Sequence, residues 1–134
     1  MAVSYGFFDS EDGDRAYEAA EFNRLFDGII TDGVFESIGD AFNITSAENG
    51  MLITVGSGRA WFNGTWTYND TLYPIVIPTA ETLLNRIDAI VIEIDSTNDG
   101  RYCEIKVVTG EPAYSNPSKP TLTHSDGINQ YALA

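Results

Sequence analysis

From residue 41 onward, apolar and polar residues alternate along the chain with a period of two. Turn residues interrupt this alternation about every eight to twelve positions, which predicts an antiparallel β-sandwich or a barrel-like domain. Three connections, Asn49-Gly50, Asn63-Gly64 and Asp99-Gly100, fit tight hairpin turns because Asn, Asp and Gly accept positive φ angles. The predicted strands cover residues 42–45, 51–55, 59–62, 65–68, 72–77, 87–94 and 102–108, with a last strand that begins near residue 128.

The most apolar of these segments, residues 87–94, is predicted to be a central strand because it offers apolar side chains to both faces of a sheet. In the segment 102–108, Cys103 alternates with charged neighbours, which is typical of a strand with one face in solvent. We expect Cys103 to be a small buried core residue. As the chain's one cysteine, it forms no internal disulfide.

One amphipathic helix is predicted before the strands, over residues 19–30. Phe22, Leu25, Phe26 and Ile29 recur at helical spacing and form one apolar stripe. Gly33 is placed to end the element. Because a helix of three turns is marginal alone, this stripe must pack on the chain's own sheet or on another chain. The domain is therefore divided into an N-terminal arm and helix, 1–40, and a β-rich region, 41–134, which together form one structural unit.

The composition excludes several functions. The formal net charge is −13, with 20 acidic residues against 7 basic ones, so no basic stripe is available to neutralise the phosphates of a nucleic acid. The sequence contains no apolar run of about 18 residues, and its start lacks the features of a signal peptide. We therefore expect neither nucleic-acid binding nor membrane insertion.

Residues that support catalysis or metal binding are scarce in this sequence. It has one histidine, His124, in a tail rich in Pro, Ser and Thr. The acidic segments that begin at Asp9 and Asp95 both depart from the ligand spacing of a calcium-binding EF-hand loop. Hydrolysis by paired carboxylates is the least favoured alternative, since carboxylates occur throughout the chain. We expect no catalytic residues, no metal and no cofactor, so that the protein is not an enzyme.

The predicted hairpin around Asn63-Gly64 carries aromatic residues on both strands. Such rings stack on sugars in many binding sites, although aromatic side chains on neighbouring strands are also divided between core and surface. The candidate glycan contacts are Trp61, Trp66 and Tyr68. We expect Arg59, on the same hairpin, to form an ion pair with a nearby carboxylate.

Several segments, taken in order, resemble the N-terminal domain of baseplate or tail-fibre structural proteins, of receptor-binding type, from phages and prophages of Gram-positive bacteria. The segments that carry the resemblance are residues 4–10, 13–17, 22–26, 28–34, 50–51, 54–64, 84–91 and 108–113. They cover nearly the whole chain, although none is a catalytic signature.

The resemblance implies a virion structural protein, an attachment domain that anchors a fibre or receptor-binding protein to the phage tail baseplate after synthesis in the bacterial cytoplasm. The implied partners are other tail proteins and further copies of the chain, in a homotrimer. We expect the interface to comprise Tyr5, Phe7, Phe8, Phe22, Leu25, Phe26 and Ile29. The alternative is a carbohydrate-binding module that acts at the host cell surface.

Overall fold

The fold is mainly β, with one short helix that precedes the strands. A computed structural model describes residues 3–47 and 50–134. Asn49 of the predicted Asn49-Gly50 turn lies outside the described residues. The elements are α1 (Ala19–Asp27), β1 (Gly33–Val34), β2 (Ile44–Ser46), β3 (Leu52–Val55), β4 (Gly58–Phe62), β5 (Thr65–Asn69), β6 (Tyr73–Val76), β7 (Ala89–Asp95), β8 (Tyr102–Val108), β9 (His124–Ser125) and β10 (Ile128–Ala132).

The described strands form three antiparallel sheets, in the orders β1-β4-β5, β2-β3-β6 and β8-β7-β10-β9. The β7 strand is central in the four-stranded sheet, in agreement with its apolar sequence. Two pairings were not predicted, because β1 and β9 are only two residues long and carry no periodic pattern. The β1 strand lies in the segment assigned to the N-terminal arm and helix, yet it pairs with β4.

One hydrophobic core joins the three sheets. It contains Val55 of β3, Ala60 and Phe62 of β4, and the alternate isoleucines of β7, Ile90, Ile92 and Ile94, together with Phe42. Full burial of a side chain as large as Ile92 contributes about 1.5–3 kcal/mol. Phe42 belongs to the core but not to a strand as predicted, since it precedes β2 with a φ of 55°.

Two of the sheets pack face to face, as in a β-sandwich. Phe62 of β4 stacks on Tyr131 of β10, with ring centroids 4.5 Å apart. Thr67 Oγ1 of β5 lies 2.8 Å from Cys103 Sγ of β8. Cys103 is therefore a residue between the sheets, half-buried rather than fully buried as predicted.

The helix is shorter than the apolar spacing predicts. At its N-terminus, the Glu21 carboxylate accepts a hydrogen bond of 2.8 Å from the backbone N–H of Glu18, a capping interaction. At the other end Gly28, not Gly33, caps the helix, since its N–H donates to the carbonyl of Arg24. The helix ends at Asp27, three residues before the predicted end at residue 30, so Ile29 lies outside α1.

The hairpin turns differ in how well the sequence predicts them. Asn63 and Gly64 adopt φ angles of 50° and 76°, which is the type I′ geometry expected for Asn-Gly between β4 and β5. Asp99-Gly100 is not a two-residue turn, because residues 96–101 form the loop between β7 and β8. The positive φ in that loop belongs to Arg101, at 55°. Asp95 determines the loop's start, since its Oδ1 accepts hydrogen bonds from the N–H and hydroxyl of Thr97.

A polar clasp anchors the segment that leads into β7. Arg86 donates two hydrogen bonds to the carboxylate of Asp88, at 2.7 and 2.9 Å, and a third to the carbonyl of Pro78. Asp88 also accepts a hydrogen bond from the N–H of Gly110, which ties the start of β7 to the end of β8. The two side chains are nearly buried, so the clasp has an architectural role.

Candidate functional site

Three aromatic residues of the β4–β5 hairpin, Trp61, Trp66 and Tyr68, lie on one face, opposite to the core residue Phe62. The register pairs Arg59 with Tyr68 and Trp61 with Trp66, and residues paired across an antiparallel hairpin lie on the same face. The opposite face carries Ala60, which belongs to the core. The alternation of the two strands thus separates a core face from an outer aromatic face.

An open groove of about 720 Å³ lies between α1 and this outer face. We call it the aromatic groove. Its lining consists of Phe22, Asn23, Phe26, Ile30, Phe35, Arg59, Ala60, Trp61, Trp66, Thr67 and Tyr68. Phe26 of α1 approaches Trp61 edge to face, with ring centroids 6.2 Å apart. The helix therefore forms one wall of the groove and β4–β5 forms the other.

The three candidate glycan contacts lie together in this groove, but they are not equally accessible. Trp66 and Tyr68 are 70% and 54% exposed, whereas Trp61 is only 5% exposed. The prediction that Trp61 is a stacking surface is wrong, because the helix side of the groove covers its ring. Its buried indole Nε1–H has no hydrogen-bond partner among the described residues, although a buried donor of this kind ordinarily has one.

Arg59 carries the one formal charge in the lining of the aromatic groove. Its guanidinium lies over the Tyr68 ring, 4.7 Å from the ring centroid, in a cation–π contact. The expected ion pair is not formed, since no carboxylate of the described residues lies within ion-pair distance of Arg59. Arg59 is exposed, so its guanidinium is accessible to solvent beside the Tyr68 ring.

The predicted interface residues all lie at the surface. We use the term arm for residues 3–18, which contain no helix or strand. Exposure is 70% for Tyr5, 52% for Phe7, 58% for Phe8, 44% for Phe22, 47% for Leu25, 44% for Phe26 and 73% for Ile29. The apolar stripe therefore keeps 44% or more of each side chain exposed among the described residues.

Ring contacts connect the arm to the helix. Phe7 packs on Phe22 with centroids 5.3 Å apart, and Tyr5 packs edge to face on Phe8 at 6.1 Å. The Tyr17 hydroxyl accepts a hydrogen bond of 2.7 Å from the N–H of Phe8. The arm, the helix and the aromatic groove thus form one aromatic surface at one end of the domain.

A buried carboxylate on β7 was missed by the sequence analysis. Glu93 is 4% exposed and accepts hydrogen bonds from Gln130 at 2.7 Å, Tyr102 at 2.9 Å and Lys106 at 3.1 Å. Burial alone raises the pKa of Glu93, but these donors and the charge of Lys106 outweigh it, so that the pKa is lowered. A single charge inside the apolar run 90–94 was the signal that could have identified it.

This carboxylate links three strands of the four-stranded sheet, since its partners come from β8 and β10. Its hydrogen bond and charge raise the pKa of Tyr102 to about 12. The carboxylate accepts hydrogen bonds from all three donors, and none of these residues lines the aromatic groove. The cluster therefore holds β7, β8 and β10 together and has a structural role.

Among residues 3–47 and 50–134, no three His, Cys, Asp or Glu side chains gather in an arrangement that could hold a metal ion. In the same part of the chain, no helix has the length and apolar character needed to cross a membrane. Comparisons with protein-family models, curated proteins and solved structures found no match to this chain. The function is therefore argued from the aromatic surface itself.

Proposed function

We propose that this protein is a structural attachment module of a phage or prophage tail, which associates with copies of itself and anchors a fibre or receptor-binding protein to the baseplate. The observation that carries this proposal is the exposure of the seven aromatic and aliphatic side chains of the arm and helix segment, each at least 44%. Monomeric soluble proteins rarely leave a connected apolar patch of this kind uncovered. Aromatic residues are also enriched in the centres of protein interfaces.

The phage-tail part of this proposal comes from the sequence resemblance. The association with other chains comes from the exposed aromatic surface. A virion location and a homotrimer are parts of the same proposal. Tail assemblies are built from repeated subunits, and closed symmetric rings are the usual result of repeated identical contacts.

Peptide mass spectrometry of purified tail particles tests this function directly. Prophages would be induced in the source bacterium, and particles would be compared with those of a strain that lacks the gene. We expect peptides of this chain in the particles, at a copy number that is a multiple of three. Their absence from particles that are otherwise complete would refute the proposal.

A second candidate function, carbohydrate binding, is favoured by the exposure of Trp66 and Tyr68 beside Arg59. Their rings form an accessible stacking surface, as in many sugar sites. A glycan array tests it with Trp66→Ala, and with Tyr114→Ala as the control, because Tyr114 is an exposed aromatic residue outside the groove. Binding that W66A abolishes and Y114A retains would support this candidate, and no binding by the unmodified chain would exclude it.

A further inference from the structure

We propose that the aromatic groove of one copy receives the arm of a second copy, with Tyr5 and Phe8 in the groove and Asp9 paired with Arg59. This inference rests on the proposed function, since it specifies how the chain associates with itself. The arm of the second copy matches the groove in charge, in its exposed rings and in hydrogen-bonding capacity.

The charge pattern is the first argument. The groove has a single charge, the cation of Arg59, on a protein whose formal net charge is −13. An acidic occupant is therefore attracted to the groove and repelled by most of the remaining surface. The arm supplies such an occupant, because Asp9, Glu11 and Asp12 directly follow its aromatic residues.

Each of the two surfaces has the groups that the other lacks. Arg59 has no carboxylate partner in the described residues, and neither do Asp9, Glu11 and Asp12 have a cationic one. The groove presents apolar ring faces, while Tyr5 and Phe8 of the arm present exposed rings. Burial of both sets removes apolar area from water, and the Asp9–Arg59 pair fixes the orientation.

The unpaired indole of Trp61 is the second argument. A buried N–H without an acceptor costs about 1–3 kcal/mol relative to a satisfied one. Trp61 lines the groove, so an occupant that separates the helix wall from its ring brings a carbonyl or carboxylate oxygen to this donor. A peptide arm contains such an oxygen at every residue.

The arm can dock without losing its contacts within its own copy. Phe7 packs on Phe22, and Tyr17 holds the backbone of Phe8 through two hydrogen bonds, of 2.7 and 3.2 Å. Tyr5 and Phe8 stay 70% and 58% exposed, with Arg15 over one face of the Phe8 ring at 5.6 Å, and no residue of the arm lines its own copy's groove. The contact therefore joins two different patches, and such heterologous contacts close into rings when the rotation between copies allows it.

Reciprocal charge reversal tests the pairing. Sedimentation velocity would compare the unmodified chain with Asp9→Arg, Arg59→Glu and the double variant, all at one protein concentration and low salt. We expect each single variant to weaken self-association by about tenfold or more, because a like-charge pair replaces an attraction. The double variant should recover most of the loss. Glu111→Arg, which changes an exposed residue outside the arm and groove, is the control for net charge.

The outcomes separate this inference from the proposed function. Oligomers of the unmodified chain that persist in both single variants, or a double variant that does not recover, would refute the arm–groove contact and leave self-association intact. A chain that stays monomeric at all concentrations would refute self-association itself. Glycan binding in the groove that Arg59→Glu abolishes, without any effect on assembly, would assign the groove to a sugar. Circular dichroism would verify that each variant is folded, and recovery in the double variant excludes misfolding as the cause.

Discussion

Glu93 and Trp61 are two buried residues with opposite balances of hydrogen bonds. The carboxylate of Glu93 has three donors around it, whereas the indole N–H of Trp61 has no acceptor among the described residues. A satisfied buried network stabilises and specifies a fold, while an unsatisfied group costs free energy. Glu93 is thus satisfied within the isolated chain, whereas an acceptor for the Trp61 donor must come from outside the described residues.

Replacement of Glu93 tests whether its hydrogen bonds stabilise the fold. We expect Glu93→Gln to lower the free energy of unfolding by about 2 kcal/mol, because hydrogen bonds to a charged acceptor contribute about 1.5–3 kcal/mol. Urea unfolding at pH 7 measures the change. Glu104→Gln is the matched control, since Glu104 is half-exposed and only 3.8 Å from Lys106. An exposed ion pair of this kind contributes less than about 1 kcal/mol, so equal losses in the two variants would contradict the assignment.

Glu93, together with Asp88, makes the free energy of unfolding depend on pH. The pKa of Glu93 is lower in the folded chain than its ordinary value of 4.5, and that of Asp88 is lower than 3.8. In both cases burial opposes the shift and the hydrogen bonds outweigh it. The unfolded chain therefore binds protons first as the pH falls.

We expect the stabilisation from these groups to be complete at neutral pH and to be lost progressively below about pH 4.5, as the pH falls through the folded pKa values. Urea unfolding over the range from pH 7 to pH 3 measures this slope. Glu93→Gln should show a shallower decline than the unmodified chain. A parallel decline in the two proteins would mean that Glu93 does not contribute to it.

At the scale of the elements, the sequence left open whether the apolar stripe packs on the chain's own sheet or on another chain, and the structure answers this question only in part. Phe26 does contact the chain's own sheet through Trp61, but Phe22, Leu25 and Phe26 keep nearly half of their surface exposed. The sheet is built around a separate core to which the helix contributes no residue. The helix can therefore be altered without loss of the β structure.

The double variant Phe22→Ser/Phe26→Ser tests this separation. We expect it to keep a β-type far-ultraviolet circular dichroism spectrum and a cooperative thermal transition, but to lose self-association in sedimentation velocity. Ala20→Ser is the control for helix propensity, because Ala20 is exposed and lies in the same helix. Loss of all β structure in the double variant would place the stripe in the folding core, contrary to its exposure.

The elements also indicate what a single sequence can predict. The strand alternation and the Asn63-Gly64 turn identified the β4–β5 hairpin correctly, because both are local signals. The end of α1 was wrong by three residues, since Ile29 fits the apolar spacing although Gly28 has already capped the helix. The burial of Trp61 was missed for a different reason. Trp61 and Trp66 are paired and chemically alike, and only the tertiary position of α1 distinguishes them.

At the scale of the whole molecule, the domain has two ends of different character. The four-stranded sheet is internally satisfied through the Glu93 cluster and the Arg86–Asp88 clasp. The arm, the helix and the aromatic groove leave aromatic rings exposed, and the groove lining carries one cation, Arg59. Exposed apolar patches commonly mark interaction sites. The sequence analysis named most of these exposed rings as candidate contacts, which stay predictions, but the groove between them is seen only in the fold.

Cys103 contacts Thr67 between the two packed sheets, so the reactivity of this thiol reports how often the sheets separate. Burial raises the pKa of Cys103, so the thiol is a poor nucleophile while the sheets are closed. We expect its reaction with a disulfide reagent at pH 8 to be at least about tenfold slower than that of the unfolded chain. Equal rates would show that the sheets part freely. A rate that falls further as the protein concentration rises would show that self-association through the aromatic surface also reduces separation of the two sheets.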